Sequence, residues 1–332
     1  MPSENLFTEI TVSWTVEDIE VAASLTLPTG AGPFPAVIFV AGSGPTDRNW
    51  NSPLIPGSNG SGGLLARSLA AQGFVTLRYD KRASGPHVAE AMKQLMGKIS
   101  MQGHLKELAG GVKLLASRAE VDPGRLFALT NSEGCVHALN YQTGPDEPHF
   151  AGMVLTSAFA QPTGALAHSQ IAAQLAPVPG GDALLAVYDR AIAEFTAGRP
   201  APIDETLPES LRQLIQAINQ PINQPFSREL WVFNPIEKLA EVSVPVLIVL
   251  GKKDIQVDWQ TDGPVFEALA KAHPNLTLFY AENANHVLKS EPKPRADLTV
   301  TEVMTSYGAA EVGLDPSTVE TIIAWLNAPL ER

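Results

Sequence analysis

The run Arg125-Leu126-Phe127-Ala128-Leu129-Thr130-Asn131-Ser132-Glu133-Gly134 decides how this 332-residue chain is read. Its first six residues are largely apolar and of the right length for a buried strand. A helix opens at about Glu133, so Thr130 to Gly134 is a tight turn from strand into helix. A G-x-S-x-G pattern at such a turn holds a serine in a strained conformation and presents its hydroxyl above the sheet. The second glycine is present as Gly134. Thr130 replaces the first, and a β-branched residue there crowds the turn. Taken alone, S-x-G is a poor signal of a nucleophile, and a serine N-cap is the plainer reading.

The flanking sequence supplies the sheet. Phe7–Trp14 and Ile19–Leu27 read as strands separated by the polar turn Thr15-Val16-Glu17-Asp18. Pro35–Val40 and Phe74–Tyr79 read as buried strands, with a helix between them that closes at Gly73. Met101, Leu105, Leu108, Val112 and Leu115 fall on one helical face, and Gly152–Thr156 is another strand. Alternation stops near residue 161. Helical stretches at Ala165–Leu175, Asp182–Thr196 and Glu209–Ile218 follow, with proline-rich breaks. It resumes with the strand Val244–Gly251, a helix at Pro264–Lys271, the strand Leu276–Tyr280 and a helix from Ser317 to Leu326. The expectation is an α/β core, residues 1–160 and 244–332, with a mostly parallel sheet and helices on both faces. A helical lid is expected over 161–243.

Composition bounds the partners. Hydrophobic residues make up 45% and charged residues 17%, enough apolar surface for a large core. The net charge of −12 disfavours nucleic acid and anionic membrane surfaces. One cysteine, Cys135, excludes a disulfide framework and a thiolate zinc site. No apolar run reaches about 18 residues, the length of a membrane span. Met1-Pro2-Ser3-Glu4-Asn5 has neither a basic start nor an apolar core of a signal peptide, which gives a cytoplasmic expectation, with a secreted chain already stripped of its signal as the alternative. A homo-oligomer is neither required nor excluded.

Two further residues follow strand ends. Asp254 lies in Gly251-Lys252-Lys253-Asp254-Ile255-Gln256-Val257, and His286 in Asn283-Ala284-Asn285-His286-Val287-Leu288-Lys289. Sites in open parallel sheets form at the carboxyl ends of strands, and all three residues fall there. The order Ser132, Asp254, His286 is one of the three common serine-triad orders. Asp258 and Asp262 are alternative acids, farther from the strand end. Gly42-Ser43-Gly44-Pro45 follows the Pro35–Val40 strand, where backbone N–H groups of Ser43 and Glu133 would form an oxyanion hole. An ordinary glycine turn is the plainer reading of that loop. His104, His137, His149, His168 and His273 have no comparable placement, and Cys135 reads as buried packing.

The combination resembles the α/β-hydrolases of the serine carboxylesterase type. It is similar to a bacterial esterase group with a G-S-G-P-x-D-R segment after the third strand and a D-K-R segment after the fourth. The matching residues are Gly42-Ser43-Gly44-Pro45-Thr46-Asp47-Arg48 and Asp80-Lys81-Arg82. The elbow in that group usually reads G-H-S-E-G. The resemblance implies Ser132 as nucleophile, His286 as general base and acid, Asp254 as its orienting partner, no metal or organic cofactor, and a small-molecule ester substrate. Departures from the group are Thr130 and Asn131 before the serine and Trp50 where a small residue is usual. Gly42, Trp50, Asn131, Arg48 and His87 are candidate pocket residues, although a loop-anchoring ion pair is the favoured reading of Arg48. An amide, lactone, thioester or carbon–carbon bond, or acyl transfer, is the alternative chemistry. A non-catalytic binding member is a third reading.

Overall fold

The computed structural model describes residues 6–53 and 55–329. Met1–Asn5, read above for a signal, lies outside the described residues. The chain divides into two compact units. One comprises residues up to Ala91, Leu105–Ala160 and the chain from Ile236 onward, and the other Met92–His104 with Gln161–Pro235.

The first unit carries an eight-stranded sheet: β1 (Phe7–Val16), β2 (Ile19–Pro28), β3 (Phe34–Val40), β4 (Val75–Tyr79), β5 (Val121–Asn131), β6 (Gly152–Thr156), β7 (Val246–Gly251) and β8 (Leu276–Ala281). The spatial order is β1-β2-β4-β3-β5-β6-β7-β8. β1 and β2 form an antiparallel hairpin whose turn, Glu17-Asp18, has both φ angles positive (50° and 63°), as a two-residue hairpin with right-handed strand twist requires. β2 joins β4 antiparallel, and the remaining neighbours are parallel.

In chain order the helices are α1 (Ser61–Ala70), α2 (Val88–Leu95), α3 (Met101–Ala116), α4 (Gly134–Gln142), α5 (Thr163–Leu175), α6 (Gly181–Thr196), α7 (Glu209–Ile218), α8 (Phe226–Val232), α9 (Pro235–Ala240), α10 (Trp259–Ala270), α11 (Val300–Gly308) and α12 (Pro316–Asn327). Strand alternation explains the layers. Val37, Phe39, Phe127, Leu129, Val154, Leu247 and Val249 form one cluster with Leu65 and Leu69 of α1 and Ile322 and Leu326 of α12. The opposite parity, such as Ile38, faces Gly111 of α3 on the other side. Both faces are buried, which is why β3, the end of β5, β6 and β7 read as apolar runs, whereas β4 carries the buried polar residues Thr76 and Arg78.

The second unit is helical. Tyr188, Phe195, Leu211, Ile215 and Trp231 form its core. Its bounds correct the expected 161–243 segment in two ways. Residues 236–243 belong with the sheet, where Leu239 and Val242 are buried, and residues 92–104 join the helices instead. Glu229 accepts a hydrogen bond from the Met101 backbone N–H at 2.6 Å, the Phe226 N–H donates to Ile99 O, and His104 meets the Phe226 ring edge-on. These are tertiary contacts between distant segments, invisible to local patterning. α10 also begins five residues before the expected Pro264, because the Asp258 side chain accepts from Gln260 N–H and caps it.

Candidate active site

β3 runs to β4 on one side and to β5 on the other, so the chain reverses direction across the sheet beside β3. Such a switch point leaves a crevice beyond the strand ends. β3 delivers Gly42 and Ser43 to it, and β5 delivers Ser132. Ser132 has φ 53°, a left-handed conformation that a non-glycine residue adopts at a cost. Its N–H donates to Thr156 O of β6 at 2.9 Å, fixing the turn to the sheet. α4 starts two residues later, at Gly134.

Gly134 is required by close approach. A Cβ there would run into the Val40 carbonyl oxygen and sit 2.9 Å from Ala41 O. Gly134→Ala is therefore expected to destabilise the fold by roughly 1–3 kcal/mol, toward the upper end because backbone cannot rotate aside. Thermal denaturation reads this directly, and an unchanged midpoint would refute the contact. Thr130, by contrast, does not crowd the turn as expected. Its hydroxyl lies 3.2 Å from Val154 O and 3.1 Å from Cys135 Sγ, so the side chain fills a small polar niche between β6 and α4.

Asp254 and His286 meet. His286 Nδ1 lies 2.7 Å from Asp254 Oδ2, with both side chains buried. Asp254 Oδ1 accepts from the backbone N–H groups of Gln256 (2.7 Å) and Val257 (3.0 Å). Gly251 lets the two loops touch, since a Cβ there would meet the Ala284 carbonyl, which also accepts from Lys253 N–H at 3.1 Å. Asn285 Oδ1 accepts from Val287 and Lys289 N–H, shaping the turn that presents the imidazole. The other two acids are engaged elsewhere. Asp258 caps α10, and Asp262 accepts from Ala160 N–H, its pKa raised by burial.

Ser132 and His286 line one cavity of about 250 Å³, together with Gly42, Ser43 and Asn131. Trp50, Ile55, Val287, Met304 and Tyr307 form its apolar wall, and Thr46, Ser52, Asn59 and Gln256 add neutral polar groups. The Tyr307 ring lies nearly parallel to that of His286, 6.4 Å between centroids. Burial raises the Tyr307 phenol's pKa, keeping it neutral. Its helix end is held by Lys289, whose buried ammonium donates to Tyr307 O and Ala309 O.

The remaining candidates divide. Trp50 lines the cavity in a left-handed conformation (φ 67°), packed against Phe39. Arg48 does not line it. Its Nε lies 3.1 Å from both carboxylate oxygens of Asp80, and its backbone N–H donates to Oδ1 at 2.8 Å, so it anchors the loop. His87 is also off the cavity. It is half-exposed and 3.4 Å from Glu20. Cys135 is buried, its thiol pushed up to about 12 by desolvation, so it stays protonated. Among the described residues no three His, Cys, Asp or Glu side chains are grouped to hold a metal ion. No helix among them is long and apolar enough to cross a membrane.

Sequence reading missed Met304 and Tyr307 because it missed α11. The signal was present: Thr299-Val300-Thr301-Glu302 is a capping box, with Thr299 and Glu302 each bonded to the other's backbone N–H. It also missed what Asn131 does. Asn131 Nδ2 donates to the His286 carbonyl at 2.9 Å, and Ser157 Oγ donates to the same oxygen at 2.8 Å. Either donor alone satisfies the buried carbonyl, and losing both leaves it unpaired at a cost of about 1–3 kcal/mol. Asn131→Ala and Ser157→Ala are thus each expected to cost little in turnover of any substrate processed here. The double variant should lose about tenfold or more beyond the product of the two. Additive losses in the mutant cycle would show that the two donors do not share a role.

Comparisons with known proteins agree with this architecture. The model of the alpha/beta hydrolase family matches residues 37–297. The chain is 24% identical over 274 residues to Esterase EstD of Thermotoga maritima, a match covering 80% of this chain and 57% of that protein. It therefore spans little more than half that relative's length. Two solved structures share the fold at 15% identity. A Klebsiella pneumoniae protein described as a dienelactone hydrolase has a TM-score of 0.54, with 98% of this chain and 100% of that chain covered. The 2,6-dihydroxy-pseudo-oxynicotine hydrolase has a TM-score of 0.52, with coverage of 96% and 66%. With most of its length matched by the family model and a largely parallel eight-stranded sheet beneath the site, the chain belongs to the alpha/beta hydrolase family.

Proposed function

We propose that the protein is a serine hydrolase that cleaves carboxylic esters through an acyl-enzyme. The observation that carries the reading is the convergence on one cavity of Ser132, at a strained strand–helix turn, and a histidine already bonded to a buried carboxylate. Ser132 Oγ attacks the ester carbonyl carbon while His286 Nε2 takes its proton. Asp254 holds Nδ1–H and stabilises the imidazolium. The carbonyl oxygen becomes an oxyanion facing the N–H groups of Ser43 and Glu133, each such donor being worth about 2.7–4 kcal/mol. Collapse expels the alcohol, which takes the proton from His286. Water then repeats the sequence on the acyl-enzyme, releasing the acid and restoring Ser132.

The lining supports neutral substrates of modest size. None of the described lining residues is Asp, Glu, Lys or Arg, and the walls are mainly apolar with a few neutral donors and acceptors. The esterase name of the Thermotoga maritima relative points the same way. The test is a panel of aryl esters of graded acyl length, run beside amide, lactone and thioester substrates, with fluorophosphonate labelling. Ester turnover together with an adduct on Ser132 is the expected result. Absence of an adduct would reject an activated serine, and turnover confined to another arm of the panel would reassign the bond.

A further inference from the structure

Lys81 is a buried charge that this chemistry leaves unexplained. It follows β4 and is only 4% exposed, as is its partner Glu133. Its Nζ donates to two oxygens, the Gly42 carbonyl at 2.6 Å and Glu133 Oε1 at 2.7 Å. Stability alone gives no reason for this, because a buried ion pair is often no more stable than an apolar pair of similar volume.

The two acceptors share one property. The Gly42 carbonyl and the Ser43 N–H belong to the same peptide plane, where they point in opposite directions. Fixing the oxygen therefore fixes the direction of that N–H. Glu133 carries the other N–H assigned above to the oxyanion. One ammonium thus ties together the two segments that would supply the hole. Its charge also polarises the Gly42–Ser43 peptide, which strengthens the N–H as a donor. The surroundings hold the arrangement still. Lys81 N–H donates to Thr46 O at 3.2 Å, and Thr46 Oγ1 donates to Ser43 O at 2.8 Å, bracing the far side of the loop. On the other side His137 Nε2 lies 3.2 Å from Glu133 Oε1, and burial lowers the imidazole's pKa so that it sits there neutral.

We propose that Lys81 is a positioning residue that sets the geometry and polarity of the oxyanion hole by binding the Gly42 carbonyl and the Glu133 carboxylate at once. This rests on the assignment of the Ser43 and Glu133 N–H groups under the proposed function. The lysine does not touch substrate. Its effect is confined to states in which negative charge has formed on the substrate oxygen.

The test uses Lys81→Met and the double variant Lys81→Met/Glu133→Gln, which leaves no unpaired carboxylate and keeps the question answerable if the single variant folds poorly. Two inhibitors separate the states. An alkyl trifluoromethyl ketone accepts Ser132 Oγ at its carbonyl carbon, passes the serine proton to His286 and places an alkoxide in the hole. The product alcohol binds without charge. In folded variants kcat/KM for an aryl ester should fall about tenfold to a thousandfold, the range set by partial to complete loss of one donor. The trifluoromethyl ketone Ki should rise by a similar factor, while the alcohol Ki stays within about twofold. Wild-type kcat/KM in the folded double variant, or a loss with unchanged ketone affinity, would overturn the proposal. Ester hydrolysis that survives Ser132→Ala would instead overturn the serine reading beneath it.

Discussion

Ser132→Ala is expected to lower kcat for ester hydrolysis by about five to six orders of magnitude, the scale seen when a serine nucleophile acting with its histidine is removed. The fold should be almost untouched. Serine and alanine face the same left-handed backbone cost at φ 53°, and the turn is held by main-chain bonds, Ser132 N–H to Thr156 O and Cys135 N–H to Ser132 O. The variant therefore separates chemistry from stability, with a near-normal thermal midpoint and no fluorophosphonate adduct. A small residual rate over buffer would reflect the N–H groups of Ser43 and Glu133 acting on a water-driven reaction. If the variant kept more than about one per cent of wild-type turnover, no serine-based acyl-enzyme could account for the activity.

How far the sequence discloses this site follows from what kind of contact each part depends on. The β5–α4 turn is legible because its strand, turn and helix are contiguous. The strand-end positions of Asp254 and His286 are legible because β7 is a buried apolar run and β8 a largely apolar, partly buried edge strand, each ended by a polar loop. Arg48 supports two readings in sequence, and only the contact of its guanidinium with Asp80, 32 residues away, decides between them. His87 sits in a turn whose course sequence does not fix, and the fold leaves it beside Glu20. Residues 92–104 join the helical unit through Glu229 and Phe226, partners over a hundred residues distant. Asn131 lines the cavity, and its amide also spans to the His286 carbonyl, 155 residues along the chain, a role no local pattern discloses. Local pattern locates the candidate reacting groups, and long-range pairing decides what supports them.

Asp254→Asn is the second large effect, about 10⁴-fold in kcat, and its cause lies in the hydrogen-bond directions around that one side chain. Asp254 Oδ1 accepts from two backbone N–H groups, Gln256 and Val257, while Oδ2 accepts from His286 Nδ1. An asparagine cannot serve both sides in the same way. Its carbonyl oxygen is drawn to the two N–H donors, because the NH₂ group there would face donors with a donor. That leaves the NH₂ group pointing at His286 Nδ1, which must then be an acceptor, and the ring proton moves to Nε2. In that tautomer Nε2 has no lone pair for the Ser132 proton, so attack stalls although every group remains in place. Substrate affinity and the thermal midpoint should change little, which distinguishes a tautomer fault from a folding fault. A variant Asp254→Asn with kcat within tenfold of wild type would show that this carboxylate does not set the histidine's proton.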